Sequence, residues 1–583
     1  MAIEDLPIFC YYDRQRFTQF GSMDCANWYG VQVDAAKKQQ ALYPAMGRRH
    51  IRFLSQNRLI FNAEPRYEFK SIDFLYVVDG TRVFQYDRFY NEKFIGSVAL
   101  TGSLWSATLA VGNVVYTLLT DETSIHVITE DGSSVTMGTV TDPNAPTNPT
   151  YVAAFGNRFV VSTNNTPDYG LSEINLGGSS VNLNTCFTIN GAPLVNRASG
   201  IVRQFGVLHN QLYILCDYTT DIWANIATQI TVAGVTREFP WKLNTSYNWN
   251  YGIEDSSSLA INFGRMCWLA KNEDGLVSFM ASDGGQPQDI SSQAINVLLE
   301  NSTSNEGLSP FLLQTTKGFI YQYENTIFYR ASAGSFLNFG QLDITSSAVS
   351  IEYNFETKTW ARVIELNGER NRIEQHVYFN NKHLVTVQGD TAIYEMAGNI
   401  YTNELRTPNT DAQAADAFTI YPMRYELTTK QLFLPGYAEF IDDYIQIDFV
   451  FGDQAFYKSS APFENTVYLV SEDSTPENPI FLVTEEGQFI IKEGTNFPTS
   501  SSTHWNSLFN PHIEVYLSDD GGVTFESADV REPWQLGQYQ WIMRWNELGT
   551  SRNRCYKLVC VSGAPIVILG AVRNTRRASG GAN

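Results

Sequence analysis

The sequence is short of positive charge. Of its 583 residues, 40 are Lys or Arg and 61 are Asp or Glu, which gives a formal net charge of −21 at pH 7. Binding nucleic acid through overall charge needs clustered Lys and Arg against the phosphates, and this composition argues against it. The tail "VRNTRRASGGAN" is basic but rich in Gly and Ser, and its residues 576–583 are predicted to be a flexible end.

Long apolar runs are missing too. No stretch approaches the roughly 18 apolar residues of a membrane-spanning helix, and the N-terminus lacks the basic and apolar regions of a secretory signal. We therefore expect no membrane partner and a protein made and assembled inside a cell. Long amphipathic helices are nearly absent, and residues 291–302 are among the few that indicate a short helix.

Cysteine and histidine give no sign of a metal site. The seven cysteines show no C-x-x-C spacing and no histidine lies close to them, which argues against zinc and fits folding in a reducing cytosol. Cys216 and Cys267 lie in apolar strands, where a thiol acts as a small hydrophobic group. The motifs G-x-S-x-G, H-E-x-x-H and G-x-x-x-x-G-K-[ST] do not occur. The sequence therefore predicts no catalytic residue, no cofactor and no metal ligand.

The sequence is rich in aromatic residues (13%) and glycine (41 residues), and it contains a repeated hairpin pattern. An Asn turn followed by alternating apolar residues recurs roughly every 40–60 residues, a spacing typical of repeat architectures. The copies lie at Asn57, Asn113, Asn157, Asn210, Asn325 and Asn381, with a degenerate copy at Arg265. Because one propeller blade of four short strands fills about that length, residues 51–415 are predicted to form a β-propeller of six or seven blades. Two β-sandwiches in tandem are the alternative.

The pattern changes after a small, polar linker at 409–418. Residues 416–455 and 500–575 predict a C-terminal antiparallel β-sandwich-like module, so that the whole chain is all-β. Residues 456–499 are predicted to be an inserted acidic β-hairpin arm, whose unpaired strand edges favour a protein partner. Tyr468, Phe481 and Phe489 are the predicted interaction residues of this arm. A solvated loop without a partner is the alternative.

The stretch "SDDGGVTF" at 518–525 fits the Asp-box pattern S-x-D-x-G-x-T-[FW], which is common in β-propeller sialidases. Asp520 can accept bonds from nearby backbone N–H groups, and Gly521 and Gly522 accept positive φ, so a structural hairpin accounts for the pattern. A sialidase would also need three clustered arginines and acidic groups. The sequence offers arginines for such a cluster, for example Arg52, Arg158, Arg203 and Arg265. It also offers tryptophans that could stack on sugars, namely Trp28, Trp105, Trp241 and Trp268. A core or interface role is favoured for these tryptophans.

Four segments, in order along the chain, carry a family resemblance. They are "NWYGVQVDAAKKQQALYPAMGRRH" at 27–50 (with Asn27, Leu42, Tyr43, Pro44 and Gly47), "DGGQPQDISSQAINVLLEN" at 283–301, "NFETKTWARV" at 354–363, and the closing strands from the 518–525 hairpin onwards. Together they resemble the tail hub proteins of short-tailed bacteriophages, which are also called packaged-DNA stabilisation proteins or tail accessory factors. The acidic arm departs from the shorter members of that family.

This resemblance implies a structural virion protein without enzymatic activity. It would form a homo-oligomeric ring of six copies below the portal and the head–tail adaptor, retain packaged DNA and anchor the needle, fibres or tailspikes. Double-stranded DNA would pass through its channel without sequence-specific binding. The expected location is the virion tail, after assembly in the host cytoplasm. Residues 1–50 are expected to be an extended segment that contacts the adaptor through Tyr11, Tyr12, Trp28 and Tyr29.

Other functions stay open at this point. One is a different tail component, such as a nozzle-like tube protein or a receptor-binding protein. Another is a propeller glycoside hydrolase or lectin, for which we expect a pocket on the propeller axis.

Overall fold

The computed structural model describes residues 2–6, 8–13, 23–32, 40–53, 57–62, 74–100, 102–112, 114–131, 134–172, 182–189, 192–232, 235–243, 248–299, 315–333, 349–407, 417–451, 512–531 and 540–578. Within these ranges nearly all regular structure is β-strand. The exceptions there are a short α-helix, Gln293–Leu299, and two 3-10 turns, Ser256–Ser258 and Pro435–Tyr437. The all-β prediction is confirmed, and the α-helix lies inside the segment predicted to be helical.

Most described strands from residue 57 to residue 397 form successive groups of antiparallel neighbours, which we call sheets 1 to 7. In chain order the strands of sheets 1 to 4 are Asn57–Asn62, Leu75–Asp79, Arg82–Tyr86 and Glu92–Ser97; Trp105–Val111, Val114–Thr120, Ile125–Glu130 and Val135–Thr139; Pro149–Phe155, Arg158–Thr163, Asp168–Leu171 and Val195–Arg197; and Val202–Leu208, Gln211–Cys216, Thr220–Val232 and Val235–Leu243. A two-stranded ribbon, Thr188–Ile189 with Ala192–Pro193, accompanies sheet 3.

Sheets 5 to 7 follow the same plan with two variations. Their strands are Gly252–Ile253, Ala260–Asn262, Arg265–Lys271, Val277–Ser282 and Gln288–Asp289; Lys317–Tyr323, Thr326–Ala333, Val349–Asn354 and Thr359–Arg362; and Ile373–Phe379, Lys382–Val387, Ala392–Ala397 and Gly47–Phe53. The first edge of sheet 5 is split, since its first two strands both pair with Arg265–Lys271. Sheet 7 takes its fourth strand from the N-terminal region of the chain.

Buried apolar side chains fill the spaces between neighbouring sheets. Tyr76 of sheet 1 and Leu119 of sheet 2 share one cluster. Leu75 of sheet 1 shares another with Phe379 and Leu384 of sheet 7. Because sheet 7 packs on sheet 1 in this way, the succession of sheets returns to its starting point, and the fold is propeller-like. Burial of such side chains is the main force that holds the sheets together.

The repeated Asn marks the turn between the first two strands of several sheets. The paired turn residues Gly156 and Asn157, and likewise Asn380 and Asn381, all have positive φ of 50° to 60°. Two successive left-handed residues define the tight turn that suits a twisted hairpin, and Asn tolerates this conformation. The prediction is wrong for Asn57, which begins a strand. Asn113 lies outside the described residues.

Strand Gly47–Phe53 ties the N-terminal region to sheet 7. Its Arg48 side chain is fully buried and bonds both oxygens of Glu365 (2.7 and 3.0 Å) and the main-chain oxygen of Glu404 (3.2 Å). A Cβ at Gly47 would collide with the backbone of Ile400 and Thr402, so only glycine fits there. The predicted boundary between residues 50 and 51 therefore falls inside a strand.

Two further sheets form the C-terminal sandwich. The first contains Ala2–Leu6, Trp28–Gln32, Gln40–Pro44, Phe440–Phe451, Gln540–Asn546, Thr550–Ser551 and Ile566–Arg577. The second contains Asp24–Ala26, Thr402–Thr407, Ala417–Thr428, His512–Ser518, Glu526–Arg531 and Cys555–Ser562. Their facing side chains, among them Trp28, Phe449 and Cys560, form one buried core. Arg576 and Arg577, predicted to begin the flexible tail, end a strand instead.

The N-terminal region is part of this sandwich rather than a separate extended segment. It supplies Ala2–Leu6, Trp28–Gln32 and Gln40–Pro44 to one sheet and Asp24–Ala26 to the other. Asp24–Ala26 also pairs with Thr359–Arg362 of sheet 6, so the sandwich is continuous with the propeller-like sheets. Residues 452–511, which include the predicted acidic arm, lie outside the described part of the chain.

Two cysteines correct a prediction. Cys10 and Cys25 form a buried disulfide, with their Cα atoms 5.2 Å apart. The sequence indicated thiols in a reducing cytosol, because the seven cysteines are scattered, odd in number and without a C-x-x-C spacing. Folding brings the two together where the N-terminal segment passes strand Asp24–Ala26. Cys216 and Cys267 are fully buried free thiols, as predicted, and burial raises the pKa of Cys216 to about 12.

Candidate functional site: a polar cleft across sheets 2 to 5

The predicted adaptor contacts are mostly interior. Residues 8 to 13 alternate along an extended segment, so that Ile8, Cys10 and Tyr12 point into the protein while Phe9 is exposed and Tyr11 is half-buried. This alternation is the period of extended backbone. Tyr12 is therefore not available as a surface anchor, whereas Tyr11 stays a prediction.

Trp28 and Tyr29 are both buried, because their strand has a core on each face. Trp28 stacks on Tyr425 in the sandwich core, with 5.3 Å between ring centroids, and its indole N–H donates to Ile566 O (2.9 Å). Tyr29 packs against Phe328 in the core between sheets 6 and 7. The prediction that these two residues lie on a docking surface is wrong. Tyr468, Phe481 and Phe489 lie outside the described residues.

The Asp-box stretch is a self-contained turn. Asp520 accepts hydrogen bonds from the N–H groups of Val523 and Thr524 (3.0 Å each) and from the hydroxyls of Ser518 and Thr524 (2.6 Å each). Burial acts to raise the pKa of Asp520, but these hydrogen bonds outweigh it and hold the pKa well below its usual range. The carboxylate is fully used in shaping the turn, as the structural interpretation expects.

A polar cleft of about 550 Å³ opens elsewhere, where the first strands of sheets 2 to 5 begin. Trp105, Tyr151 and Arg203 enter it from the first strands of sheets 2, 3 and 4. Residues 253–257 enter from sheet 5. The remaining walls are Ser103, the turn residues Asp217 and Tyr218 of sheet 4, and Lys271 of sheet 5.

The charges in the cleft are arranged in pairs. Arg203 is bonded to Asp217, and Lys271 Nζ lies 2.8 Å from a carboxylate oxygen of Glu254. The hydrogen bond that Lys271 donates to Glu254 raises the pKa of Lys271 and keeps it charged. The Lys271 ammonium also lies 5.7 Å from the ring centroid of Tyr218, within cation–π range. Each cation in the cleft thus has an anionic partner.

Of the three carboxyl groups that line the cleft, Asp255 is the one that has no cation in direct contact among the described residues. Its Oδ1 accepts a hydrogen bond from Ser257 N–H (2.6 Å) and caps the 3-10 turn. Burial raises the pKa of Asp255 to about 7, although the Ser257 hydrogen bond and the charge of Lys317 lower it. Near neutral pH, therefore, part of the molecules carry a protonated carboxyl that can donate as well as accept.

The wall formed by residues 252–258 is firmly held. Ser256 Oγ donates to Tyr151 Oη (2.8 Å), Ser258 Oγ donates to Asp255 O (2.6 Å), and Tyr329 Oη donates to Ser258 O (2.9 Å). A Cβ at Gly252 would collide with the backbone of sheet 4, so glycine is needed for this close approach. A fixed wall of this kind presents its polar groups in one arrangement.

Sequence reasoning found two cleft residues without placing them. Arg203 and Trp105 are among the residues whose types suit sugar binding, whereas no sequence motif marks the "IEDSSS" segment at 253–258. A signal for the site exists in the repeat: Trp105, Tyr151 and Arg203 each stand six to eight positions before a repeat Asn, at 113, 157 and 210. Residues that occupy equivalent positions in successive units of a radial repeat lie on the same face of the protein.

Other chemistry-bearing side chains have structural partners. Across a hairpin of sheet 7, His376 Nε2 lies 2.9 Å from His383 Nδ1. Burial lowers the pKa of His376 to about 3. In the described part of the chain no group of His, Cys, Asp and Glu is arranged to hold a metal ion. Nor do the helices of that part include one long and apolar enough to cross a membrane.

The chain matches no protein-family model and no curated protein. Among solved structures it is similar to a streptogramin B lyase (9% identity, 60% of this chain and 97% of the other, TM-score 0.30). It is also similar to a chain of the S. cerevisiae complex of Dbp5 with Nup159, Gle1, IP6 and ADP (9%, 63% and 97%, TM-score 0.31). A virginiamycin B lyase from Staphylococcus aureus gives comparable values (8%, 60% and 99%, TM-score 0.30). At such TM-scores neither an activity nor a ligand transfers to this chain.

Proposed function

We propose that this protein is the tail hub of a short-tailed bacteriophage, a structural component of the virion rather than an enzyme. It forms a ring, of six copies by resemblance, below the portal and adaptor, continues the DNA channel and anchors the needle, fibres or tailspikes. Within the protomer, sheets 1 to 7 are the blades of a seven-bladed β-propeller, and strand Gly47–Phe53 closes it. The sandwich completes the protomer.

The observation that carries this proposal is that side-chain hydrogen bonds link the four resembling segments to one another or to the residues directly beside them. Asn27 of the first segment donates hydrogen bonds to Ile364 O (2.8 Å) and Arg424 O (2.6 Å), directly after the third segment and in the sandwich. Trp28 reaches the closing strands at Ile566 O. Trp360 of the third segment donates to Ile290 O of the second (2.7 Å). These bonds give four separate stretches of the sequence a shared structural role.

The charge of the chain supports the same role. A net charge of −21 repels the phosphates of passing DNA, so DNA slides through a channel of this protein instead of sticking to it. Electrostatic attraction to the backbone would impede ejection.

The adaptor contact is accordingly reassigned within the N-terminal region. Among the described residues there, Ile3 and Phe9 are exposed and Tyr11 is half-buried, while Tyr12, Trp28 and Tyr29 are interior. We propose that Ile3, Phe9 and the accessible part of Tyr11 dock on the adaptor, since aromatic side chains at the surface are typical anchors of protein interfaces.

The test is reconstitution. The purified full chain is mixed with the portal–adaptor complex of its phage, and mass by light scattering is combined with electron microscopy. We expect a ring appended below the portal. The double substitution Phe9→Ala and Tyr11→Ala should abolish docking, whereas Ile542→Ala, at an exposed apolar residue of the sandwich, should leave it intact.

Three results would contradict the proposal. A stable monomer that ignores the portal complex would remove the hub role. Binding only to an already assembled hub would indicate a nozzle-like component. Docking that survives the double substitution would move the contact away from the N-terminal region.

A further inference from the structure

We propose that the cleft across sheets 2 to 5 is a binding site for a neutral carbohydrate. This inference does not depend on the tail-hub role, and it assigns a ligand class to the cleft. Its volume, about 550 Å³, falls within the roughly 300–1,000 Å³ typical of small-molecule sites.

The charges of the cleft disfavour an anionic ligand. Arg203 is paired with Asp217 and Lys271 with Glu254, so an acid or a phosphate that approached either cation would also meet a carboxylate. A cationic ligand would be repelled by the positive charges of Arg203 and Lys271. A neutral polyol meets neither obstacle, because paired side chains still offer unused donors and acceptors to hydroxyl groups.

Aromatic rings provide the second requirement of a sugar site. Tyr218 is 44% exposed and stands on one wall. Trp105 stands on another, edge-to-face with Tyr151 at 5.3 Å between centroids. Such rings offer an apolar surface beside polar groups, which suits the mixed faces of a pyranose.

Hydrogen-bonding capacity completes the site. Ser256 and Ser257 supply hydroxyls, Arg203 and Lys271 supply the donors that their ion pairs leave unused, and Asp255 can donate when protonated. The wall that carries the hydroxyls and Asp255 is fixed by the bonds of residues 252–258, so little ordering accompanies binding.

The experiment uses the full-length protein and a glycan array of neutral, sialylated and sulfated oligosaccharides. Saturation-transfer NMR with the best neutral glycan then gives its Kd. We expect Tyr218→Ala to weaken binding about tenfold, which corresponds to the removal of roughly one good contact. Trp105→Ala, which removes the ring from the wall of the cleft, should weaken it as well. Tyr378→Ala is the matched control, because Tyr378 is 45% exposed and lies on sheet 7, away from the cleft.

The proposal is supported if neutral glycans bind and the two cleft variants, checked for an unchanged melting curve, bind them more weakly than the control does. It is overturned if no glycan binds, if only acidic glycans bind, or if the cleft variants bind as well as the control. None of these results depends on docking to the portal, so failure here and failure of the hub proposal are distinguishable.

Discussion

Asn27 joins three parts of the protein through one side chain. It is 2% exposed, has a left-handed backbone (φ 60°) and, besides the two bonds that it donates, accepts one from Ile364 N–H (3.1 Å). Asn is one of the few residues that combine tolerance of this conformation with a donor and an acceptor in one short side chain.

We expect Asn27→Ala to lower the free energy of unfolding by about 3–5 kcal/mol, because buried partners lose their hydrogen bonds and alanine is strained at positive φ. Chemical denaturation measures the loss. Asn157→Ala is the control, since Asn157 has the same backbone (φ 59°) at an exposed turn, and it should cost about 1 kcal/mol. Equal losses for the two variants would show that the side-chain bonds of Asn27 contribute nothing.

Asp255 links stability to pH. Its folded pKa of about 7 lies above the unfolded value of about 3.9, so the folded protein holds this proton more tightly than the unfolded chain does. The resulting stability is fully present below about pH 4 and is lost as the pH rises towards 7. Asp255→Asn keeps an oxygen acceptor for the Ser257 N–H and carries no charge at any pH.

We therefore expect Asp255→Asn to gain stability relative to the wild type between about pH 5 and pH 8, by about 1–3 kcal/mol. Denaturation curves at both pH values measure this difference. Asp529→Asn, at an exposed ion pair with Arg531, should show almost none of it. A stability difference that does not change with pH would mean that Asp255 has an ordinary pKa.

At the scale of elements, the N-terminal strands are integral parts of the sandwich and connect it to sheet 6. Ala2–Leu6 and Trp28–Gln32 lie in one sandwich sheet, and Asp24–Ala26 lies between the other sheet and sheet 6. Side chains from this region, such as Leu6, Cys25 and Trp28, are part of the sandwich core. Their strands could not leave without exposing that core to water.

Deletion of residues 1–30 is accordingly expected to prevent folding and not merely docking. The loss of Trp28 alone should cost about 3–5 kcal/mol, a large part of the stability of an ordinary domain. Far-ultraviolet circular dichroism and a thermal melt are the measurements, and Ile3→Ser, at a 69% exposed position, is the control. A truncated protein with the native spectrum and melting temperature would show that the sandwich folds without the N-terminal strands.

At the scale of the whole molecule, the propeller-like sheets and the sandwich share strands. Thr402–Thr407 contacts Gly47–Phe53 on one side and Ala417–Thr428 on the other. Arg48 and Glu365 form a buried bidentate ion pair beside this connection, and removing one partner of such a pair is strongly destabilising.

We expect the two parts to unfold in a single transition in differential scanning calorimetry. Arg48→Met should lower the temperature of that transition, because Glu365 is left buried without its partner. Arg197→Met, at a loose and exposed ion pair with Asp168 (3.8 Å), serves as the control and should leave it unchanged. Two separate peaks in the wild type would show that the shared strands do not couple the parts.

The sequence by itself determined the features that depend on neighbours in the chain. The all-β class follows from alternating apolar residues, and the hairpins follow from residues that accept positive φ, as at Asn157 and Asn381. The Asp-box turn follows from Asp520 and the residues just after it. In each case the physical cause lies within a few residues, so the pattern can be recognised in the sequence.

Only the tertiary structure decided where distant segments meet. It turned Trp28 and Tyr29 inward by placing a core on each face of one strand, and it brought Cys10 to Cys25. The cleft belongs to the same class, because Trp105, Arg203 and Asp255 come from three different sheets. Burial and long-range packing select these arrangements, and neither leaves a local period in the amino-acid sequence.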